Sequence, residues 1–376
     1  MQIAGVAEHN VVVTSYDLMR RDIDEYVEQN FARVVLDEAQ YIKNPLTQVA
    51  RAAKRLPAGV RFALTGTPIE NRLSELWSIF DFLMPGLLGT RESFAKRFES
   101  PVEHSEGDSA ARLQALVSPF VLRRVKEDVV ADLPEKIEDT VVAQLAGEQR
   151  KLYLANQDRI AQQVQHREAS EFKKDKLKVL AELTKLRQIC CDPRLHYEDY
   201  KAGSAKLDTC MELVHGALDG GHRILLFSQF TGMLDIIGKR LAKEDIAFLK
   251  LTGASSKESR AKMVAQFQAG EVPVFLISLK AGGVGLNLTA ADVVIHYDPW
   301  WNVAAQDQAT DRAHRIGQQH TVTVYKLIAK DTIEERIMQM QESKRDLVNS
   351  VLGGDGISSA LFTREDVLAL LGGDGR

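Results

Sequence analysis

The segment 290–318, AADVVIHYDPWWNVAAQDQATDRAHRIGQ, holds two arginines three residues apart, Arg312 and Arg315, on what reads as one helical face. Guanidinium groups so placed can reach a nucleotide on a neighbouring domain and stabilise the charge of a transferring phosphoryl group. That chemistry needs carboxylates opposite: one to hold nucleotide-bound magnesium through water, one to orient or deprotonate an attacking water. The run FARVVLDEAQ ends a strand with Asp37-Glu38. Alone, an acidic pair is more often a solvated strand end than a site. The next strand closes on LTGTP, Leu64–Pro68, whose hydroxyl and glycine residues can pass hydrogen bonds between the acidic pair and a second lobe. Alone, it is as easily a turn. In SLKAGGVGLNL, Gly282, Gly283 and Gly285 allow the backbone close to phosphate or sugar. A glycine turn is more often only a tight turn, and arginine pairs on helices are usually solvated. It is their order, each group at a strand end or on the helix after it, that points to one nucleotide site.

The elements that must position these groups alternate short apolar runs with amphipathic stretches, the pattern of parallel α/β layers. Strand candidates in the first third are Asn10–Thr14, Ala32–Leu36 and Arg61–Leu64. A second set comprises Arg223–Phe227, Ala247–Leu251, Pro273–Ser278, Asp292–His296 and Val322–Leu327. Helical patterns near 231–243, 257–269, 303–316 and 332–350 separate or follow them. Runs such as VFLIS and VVIHY fit strands buried on both faces, so the second set predicts a doubly wound sheet with its ligands at the C-terminal strand ends. The long intervening stretch is too long for a structureless loop. Helices are expected over 71–98, 109–130, Glu148–Gln165 and Phe172–Arg187. A lobe boundary falls near 134–145, and Thr363–Asp366 matches a capping box opening a short helix.

Hydrophobic residues at 45% and charged residues at 27% of 376 are those of an ordinary globular protein. A net charge of −4 gives no global pull toward nucleic acid, so a nucleic-acid site must be a local groove. Three cysteines without CxxC or CxxH spacing argue against a metal site and for a reducing compartment. No apolar run has the length of a membrane span. The clusters Arg123, Arg124 and Lys126, and Lys173, Lys174, Lys176 and Lys178, could contact phosphates; the second reads more simply as a solvated helix face.

With VVVTSYDLMRRD, VVLDEAQYIKNP, FALTGTPIENRLSELWSIFDFLMPGLLG, PFVLRRVKEDVVADLPEK, LLFSQFTGMLDII, LISLKAGGVGLNLTAADVVIHYDPWWN and DRAHRIGQ in this order, the chain resembles the Swi/Snf family of superfamily-two helicase-like ATPases over roughly residues 10–350. Gln40 after DEA suggests the bacterial subgroup, hence a cytoplasmic, nucleoid-associated protein. The resemblance implies two RecA-like parallel-sheet lobes with helical insertions between them. It divides the chain into a first lobe with its insertion (1–138), a helical linker (139–205), a second lobe (206–352) and a tail with a short helix (353–376). It implies a DNA-stimulated ATPase that uses ATP and magnesium and steps along duplex DNA, usually without separating the strands. Asp37 would hold magnesium, Glu38 the water, and Arg312 and Arg315 would be arginine fingers. Gln308 and Gly285 would line the nucleotide. Thr14, Ser15, Tyr16, Lys280, Trp301 and Asn302 would lie along the DNA, and Thr65, Gly66 and Thr67 would couple the lobes. Val303 stands where the family usually has proline after Trp-Trp-Asn. Expected partners are double-stranded DNA and a DNA-bound protein complex such as RNA polymerase, with a monomeric chain and no membrane.

The family also has a phosphate cradle, GxxxxGK[ST], upstream of the acidic pair. No such motif occurs in these 376 residues, and only 36 residues precede Asp37. Amides and lysine of that cradle carry the triphosphate. The expectation is therefore an N-terminally incomplete first lobe of poor stability, a well-folded second lobe, and no appreciable ATPase activity from this polypeptide alone. A longer parent protein or a truncated reading frame would account for it. The competing readings are a non-catalytic module that binds DNA or a partner, and a strand-separating helicase.

Overall fold

A computed structural model of the chain describes residues 9–66, 73–99, 109–124, 133–165, 169–282, 286–300, 303–339, 367, 368 and 370–372. Within these, the side chains of 169–174, 176, 177, 280, 282 and 304 are not described. The chain forms two compact units, divided between Leu122 and Arg123. Both carry parallel sheet, so the α/β class expected from the alternating pattern holds.

In the first unit, β1 (Phe31–Leu36) pairs in parallel with β2 (Ala58–Ala63), Val35 opposite Phe62. Val34 and Leu36 point to one face and pack with Met19, Ile23, Tyr26, Ala50 and Ala53 of the helices Tyr16–Arg21, Ile23–Val27 and Gln48–Arg55. The helix Gln48–Arg55 starts where the Thr47 hydroxyl accepts the Ala50 amide at 3.2 Å. On the opposite face Val35, Val60 and Phe62 are exposed, as is Leu64 beyond β2. A second cluster joins Trp77 and Phe80 of the helix Leu73–Leu83 to Phe94, Phe98, Leu113 and Val117. The strand expected at Asn10–Thr14 does not form. Residues 10–15 are irregular, with Val11 and Val13 exposed. An apolar run becomes a strand only where an edge takes its backbone hydrogen bonds, and among the described residues β1 and β2 pair with each other and not with 10–14. The helix expected over 109–130 covers Ser109–Val117 and a 3-10 turn to Phe120; residues 121–124 are not helical and 125–130 lie outside the described residues.

The second unit holds a six-stranded parallel sheet in the order β3-β8-β7-β4-β6-β5. Its strands are β3 (Lys136–Ala143), β4 (Ile224–Ser228), β5 (Phe248–Leu251), β6 (Val274–Ser278), β7 (Val293–His296) and β8 (Val322–Ala329). The period-2 alternation divides the central strands between two cores. Ile224, Leu226, Val274, Leu276, Val293 and Ile295 face the helices Ala205–Asp219 and Thr231–Lys243. Leu225, Phe227, Phe275, Ile277 and Val294 face Phe267 of the helix Lys257–Gln268, with Leu286, Leu288, Ala309 and Ala313. The sequence pattern did not predict β3. It is an edge strand, KIEDTVVA, exposed along most of its length, so no apolar run betrays it. It pairs in parallel with β8 from Lys136–Val322 to Ala143–Ala329. The division expected between 138 and 139 falls inside this strand.

The helices Gly147–Gln165 and Ala169–Cys191 pack on each other through Tyr153, Ile160, Val164, Val179, Leu183 and Leu186. Val367, Leu370 and Leu371 complete that cluster; the capping box Thr363–Asp366 lies outside the described residues. Residues 333–339 are helical, and 340–350 lie outside.

One buried ion pair joins these layers. Lys206 Nζ lies 2.5 Å from Glu334 Oε2, and both side chains are fully buried. The same oxygen accepts the Ala329 amide at 2.8 Å, and the ammonium sits over the Tyr297 ring. Burial alone would lower the Lys206 pKa; the Glu334 carboxylate outweighs it and holds it above the ordinary lysine value. Removing one partner strands the other charge, which costs about 3–5 kcal/mol, whereas replacing both with apolar groups is often neutral. Lys206→Met is therefore expected to lower the unfolding free energy of the second unit by that amount in a denaturant melt, and Lys206→Met with Glu334→Leu to recover most of it.

Candidate functional site

In the first unit the site is built where β1 ends. Asp37 follows the strand and is exposed; Glu38 is half-buried in the left-handed region, φ 50° and ψ 52°. A non-glycine residue persists there only when its surroundings hold it. The holding contacts are explicit. Asp37 Oδ1 accepts the Glu38 amide at 3.0 Å. The Ala39 amide donates to the Leu64 carbonyl, and the Leu64 amide to the Leu36 carbonyl, both at 2.8 Å. Gln40 Nε2 donates to Glu38 Oε2 at 2.6 Å, and the Thr65 hydroxyl donates to Gln40 Oε1 at 2.7 Å. Gln40 thus links the acidic pair to the threonine of LTGTP. It stood in the sequence only as a mark of subgroup; its place two residues after Glu38 was the available signal.

Tyr16 joins the same constellation. Its hydroxyl donates to the Asp37 carbonyl at 2.7 Å, and its ring lies 5.1 Å from that of Tyr41. Burial, then the charges of Asp37 and Glu38, raise the phenol well above its usual pKa. Ser15 caps the helix Tyr16–Arg21, its oxygen accepting the Leu18 amide at 3.3 Å. Thr14 and Gly66 are exposed, and Thr67 lies outside the described residues. The structure therefore brings together Tyr16, Asp37, Glu38 and Thr65. Among the described residues no group of three or more His, Cys, Asp or Glu could cage a metal ion. A single exposed carboxylate nevertheless fits magnesium, which keeps several waters and takes phosphate oxygens as its other ligands.

In the second unit the two arginines are not on a helix, contrary to expectation. The helix Val303–Thr310 stops before them. Continuing it would need the Arg312 carbonyl to accept the Ile316 amide. Instead the Leu288 amide takes that carbonyl at 3.0 Å. Three-residue bonds, Arg312 to Ala309 and Ala313 to Thr310, come in beside a last four-residue bond from His314 to Thr310, and Gly317 turns the chain at φ 103°. Gln318 locks the result. Its Nε2 donates to the Thr289, Ala291 and Ala313 carbonyls at 3.1, 2.7 and 3.1 Å, and its Oε1 accepts the Gln319 and His320 amides at 2.8 and 2.9 Å. The arginine turn and the segment after the glycine-rich loop are thereby one body. Arg315 Nη1 adds a long contact, 3.4 Å, to the Leu286 carbonyl. Arg312, Arg315 and Gln308 are half-buried. Gly285, Trp301 and Asn302 lie outside the described residues, as does the side chain of Lys280, which stands in the helical turn Leu279–Gly282 after β6.

The turn after β7 is held from behind. Arg187, fully buried in the helix Ala169–Cys191, donates to the Pro299 carbonyl, and to Gln229 Oε1 at 3.1 Å. Asp298 accepts the Gln229 amide at 3.2 Å and the Ser228 hydroxyl at 2.5 Å. Trp300 is partly buried against the core, an anchor rather than an exposed stacking surface. His296, also buried, shares its Nε2 with the Thr310 hydroxyl at 2.8 Å and stacks on Phe227. It fastens β7 to the last residue of the helix that leads into the arginine turn.

Two family models match the chain, the first running past the division at Leu122 as far as the end of the helix pair. The family model described as the SNF2-related domain matches residues 2–195, and the helicase conserved C-terminal domain matches 205–317. An uncharacterized ATP-dependent helicase of Mycoplasma pneumoniae is 40% identical over 364 residues, 96% of this chain and 34% of the relative. A Bacillus subtilis relative named for helicase and translocase activity is 41% identical, covering 95% of this chain and 39% of the relative. The chain thus spans a little over one third of the length of these two relatives. The solved SWI2/SNF2 ATPase core of Sulfolobus solfataricus in complex with double-stranded DNA matches with TM-score 0.51 and 38% identity, over 90% of this chain and 72% of that one.

Burial of His296 has a measurable consequence. It depresses the imidazole to about 3 from the ordinary 6.5. The folded protein then binds fewer protons than the unfolded chain between those values, so stability rises with pH across that window. Stability of the second unit is expected to be full above pH 6.5 and to fall steadily as pH drops toward 3. His296→Asn, which keeps a hydrogen-bonding group without the titration, is expected to flatten that limb of the pH–stability curve.

Proposed function

Because the chain belongs to the SNF2-related family of helicase-like ATPases, we propose that it is the catalytic portion, short of the phosphate cradle, of an ATP-driven translocase on double-stranded DNA. One observation carries this: the hydrogen-bonded chain from Glu38 through Gln40 to Thr65, which holds a strained carboxylate at a strand end and ties it to a coupling motif. A carboxylate so fixed is suited to orient an attacking water, with little reorganisation at the moment of reaction. Asp37, exposed beside it, would hold magnesium through water; the ion would neutralise charge on the phosphates. Arg312 and Arg315, on a turn locked by Gln318, would stabilise the transferring phosphoryl group, and Gln308 and Gly285 would line the nucleotide.

The DNA contacts proposed are Thr14, Ser15, Lys280, Trp301 and Asn302, gripping the backbone rather than reading bases. Ser15 fits this role, because a hydroxyl that accepts a cap bond keeps its own proton for a phosphate. Tyr16 takes a different one. Its single proton is spent on the Asp37 carbonyl, so it links the DNA-facing segment to the acidic turn. Thr65, Gly66 and Thr67 would couple that turn to the second unit. A DNA-bound protein complex is the further partner proposed, with the chain acting as a monomer beside bacterial DNA.

A second reading, a non-catalytic module binding DNA or a partner, is favoured for the 376 residues by themselves, since they contain no GxxxxGK[ST]. Purified 1–376 is expected to bind duplex DNA of any sequence, with log affinity falling linearly in log salt. It is expected to release no phosphate from ATP with or without DNA, and to displace no strand. Robust DNA-stimulated hydrolysis would overturn the inactivity; absence of salt-dependent duplex binding would overturn the DNA contacts.

A further inference from the structure

His314 stands between the two arginines in the sequence, and its side chain reaches the segment that leads into β3. Its Nε2 donates to the Pro134 carbonyl at 2.8 Å, and the residue is 8% exposed. Because a carbonyl only accepts, the imidazole proton that makes this bond is on Nε2. Pro134 lies on the segment by which the chain, having left the first unit at Leu122, enters the second-unit sheet. The two next residues are fastened to the same region. The Val322 amide donates to the Glu135 carbonyl at 3.0 Å. Lys136 is ion-paired with Glu138 at 2.7 Å and feels the charges of Asp307 and Asp311, which flank the helix end before the arginines. Glu138, held between Lys136 and Lys326, pins the start of β3 to β8.

We infer that His314 is a positioning residue that ties the segment 133–136 to the turn carrying Arg312 and Arg315, so that displacement of one displaces the other. The role of the arginines rests on the function proposed above; the tie itself does not. Three features make it more than a packing contact. The Val322–Glu135 bond belongs to the β3–β8 ladder and holds the strand whatever occupies position 314. The His314 bond runs directly from the arginine turn to the entering segment. Pro134 has a fixed φ, which removes one of the two soft dihedrals beside the accepting carbonyl. On the other side, Gln318 and the Leu288–Arg312 bond make the turn one body with 288–291. A shift passed on by His314 therefore moves the arginines together with the end of the glycine-rich loop.

The test uses the full 1–376 chain with His314→Phe, which keeps a ring and loses the donor, and His314→Gln, which keeps an amide donor. Segment-resolved amide hydrogen exchange is measured with and without duplex DNA. His314→Phe is expected to speed exchange at both 133–138 and 311–318 about five-fold, the factor for one net hydrogen bond, with the β4 and β6 core unchanged. His314→Gln is expected to restore protection. DNA is expected to alter both segments in the native chain but only 133–138 in His314→Phe. Unchanged exchange at 311–318 in His314→Phe, no rescue by glutamine, or a persisting DNA response at 311–318 would each overturn the proposal. If the chain fails to bind DNA, the proposed function fails, while the DNA-free comparison of phenylalanine with glutamine still decides the tie. Should His314→Phe unfold the second unit, Lys136→Met weakens the same junction from the other side. Faster exchange at 311–318 then supports the proposal and unchanged exchange overturns it.

Discussion

A guanidinium stabilises a developing charge only if it is held in place before the charge appears. Here the two guanidinium groups stand on a turn, not on a helix, so no regular ladder holds them. Their placement depends on Gln318. One amide side chain spends three contacts on carbonyls from two segments and two on following amides, which leaves no polar atom of the group idle. Such a fully satisfied buried group rigidifies its surroundings, and a half-satisfied one does the opposite. Gln318 and the Leu288–Arg312 backbone bond together join the segment 288–291, the arginine turn and the Gly317 bend.

The first unit solves the same problem by a different route. Glu38 is forced into a left-handed conformation that the strand cannot impose by itself. Tyr16 from the helix before β1, Gln40 from the turn and Thr65 from the end of β2 surround it, so three separated segments share in one strained carboxylate. In both units the candidate groups stand on irregular backbone held by side-chain amides and hydroxyls. The sheets supply the place, at the C-terminal strand ends, and small polar networks supply the angle. Deeper buried charges, Arg187 on Pro299 and Lys206 on Glu334, hold the scaffold behind the second of these sites.

What could be read from the chain follows from what leaves a local trace. Strands β4, β6 and β7 are continuous apolar runs because they are covered on both faces, and the helix Thr231–Lys243 shows its period plainly. The acidic pair, the glycine turn and the arginines are local strings. Strand β3 was illegible because an exposed edge needs no apolar run. Asn10–Thr14 looked like a strand because a valine run is one only when a neighbouring edge accepts it. The arginines looked helical because nothing local reveals that the Leu288 amide, 24 positions earlier, claims the carbonyl the helix would need. Gln40, His314 and Gln318 are ordinary polar residues whose partners are distant or belong to the backbone.

The central proposal is that Asp37 and Glu38, with Arg312 and Arg315, serve one nucleotide. It is tested most directly by single-turnover hydrolysis in a polypeptide carrying a GxxxxGK[ST] cradle ahead of these residues. Glu38→Gln and Arg312→Ala are each predicted to lose about a thousand-fold or more in rate while nucleotide still binds, and the double variant to lose little beyond either single one, because groups of one site act as a unit. An Arg312→Ala rate equal to the native one, or losses that simply multiply in the double variant, would contradict it.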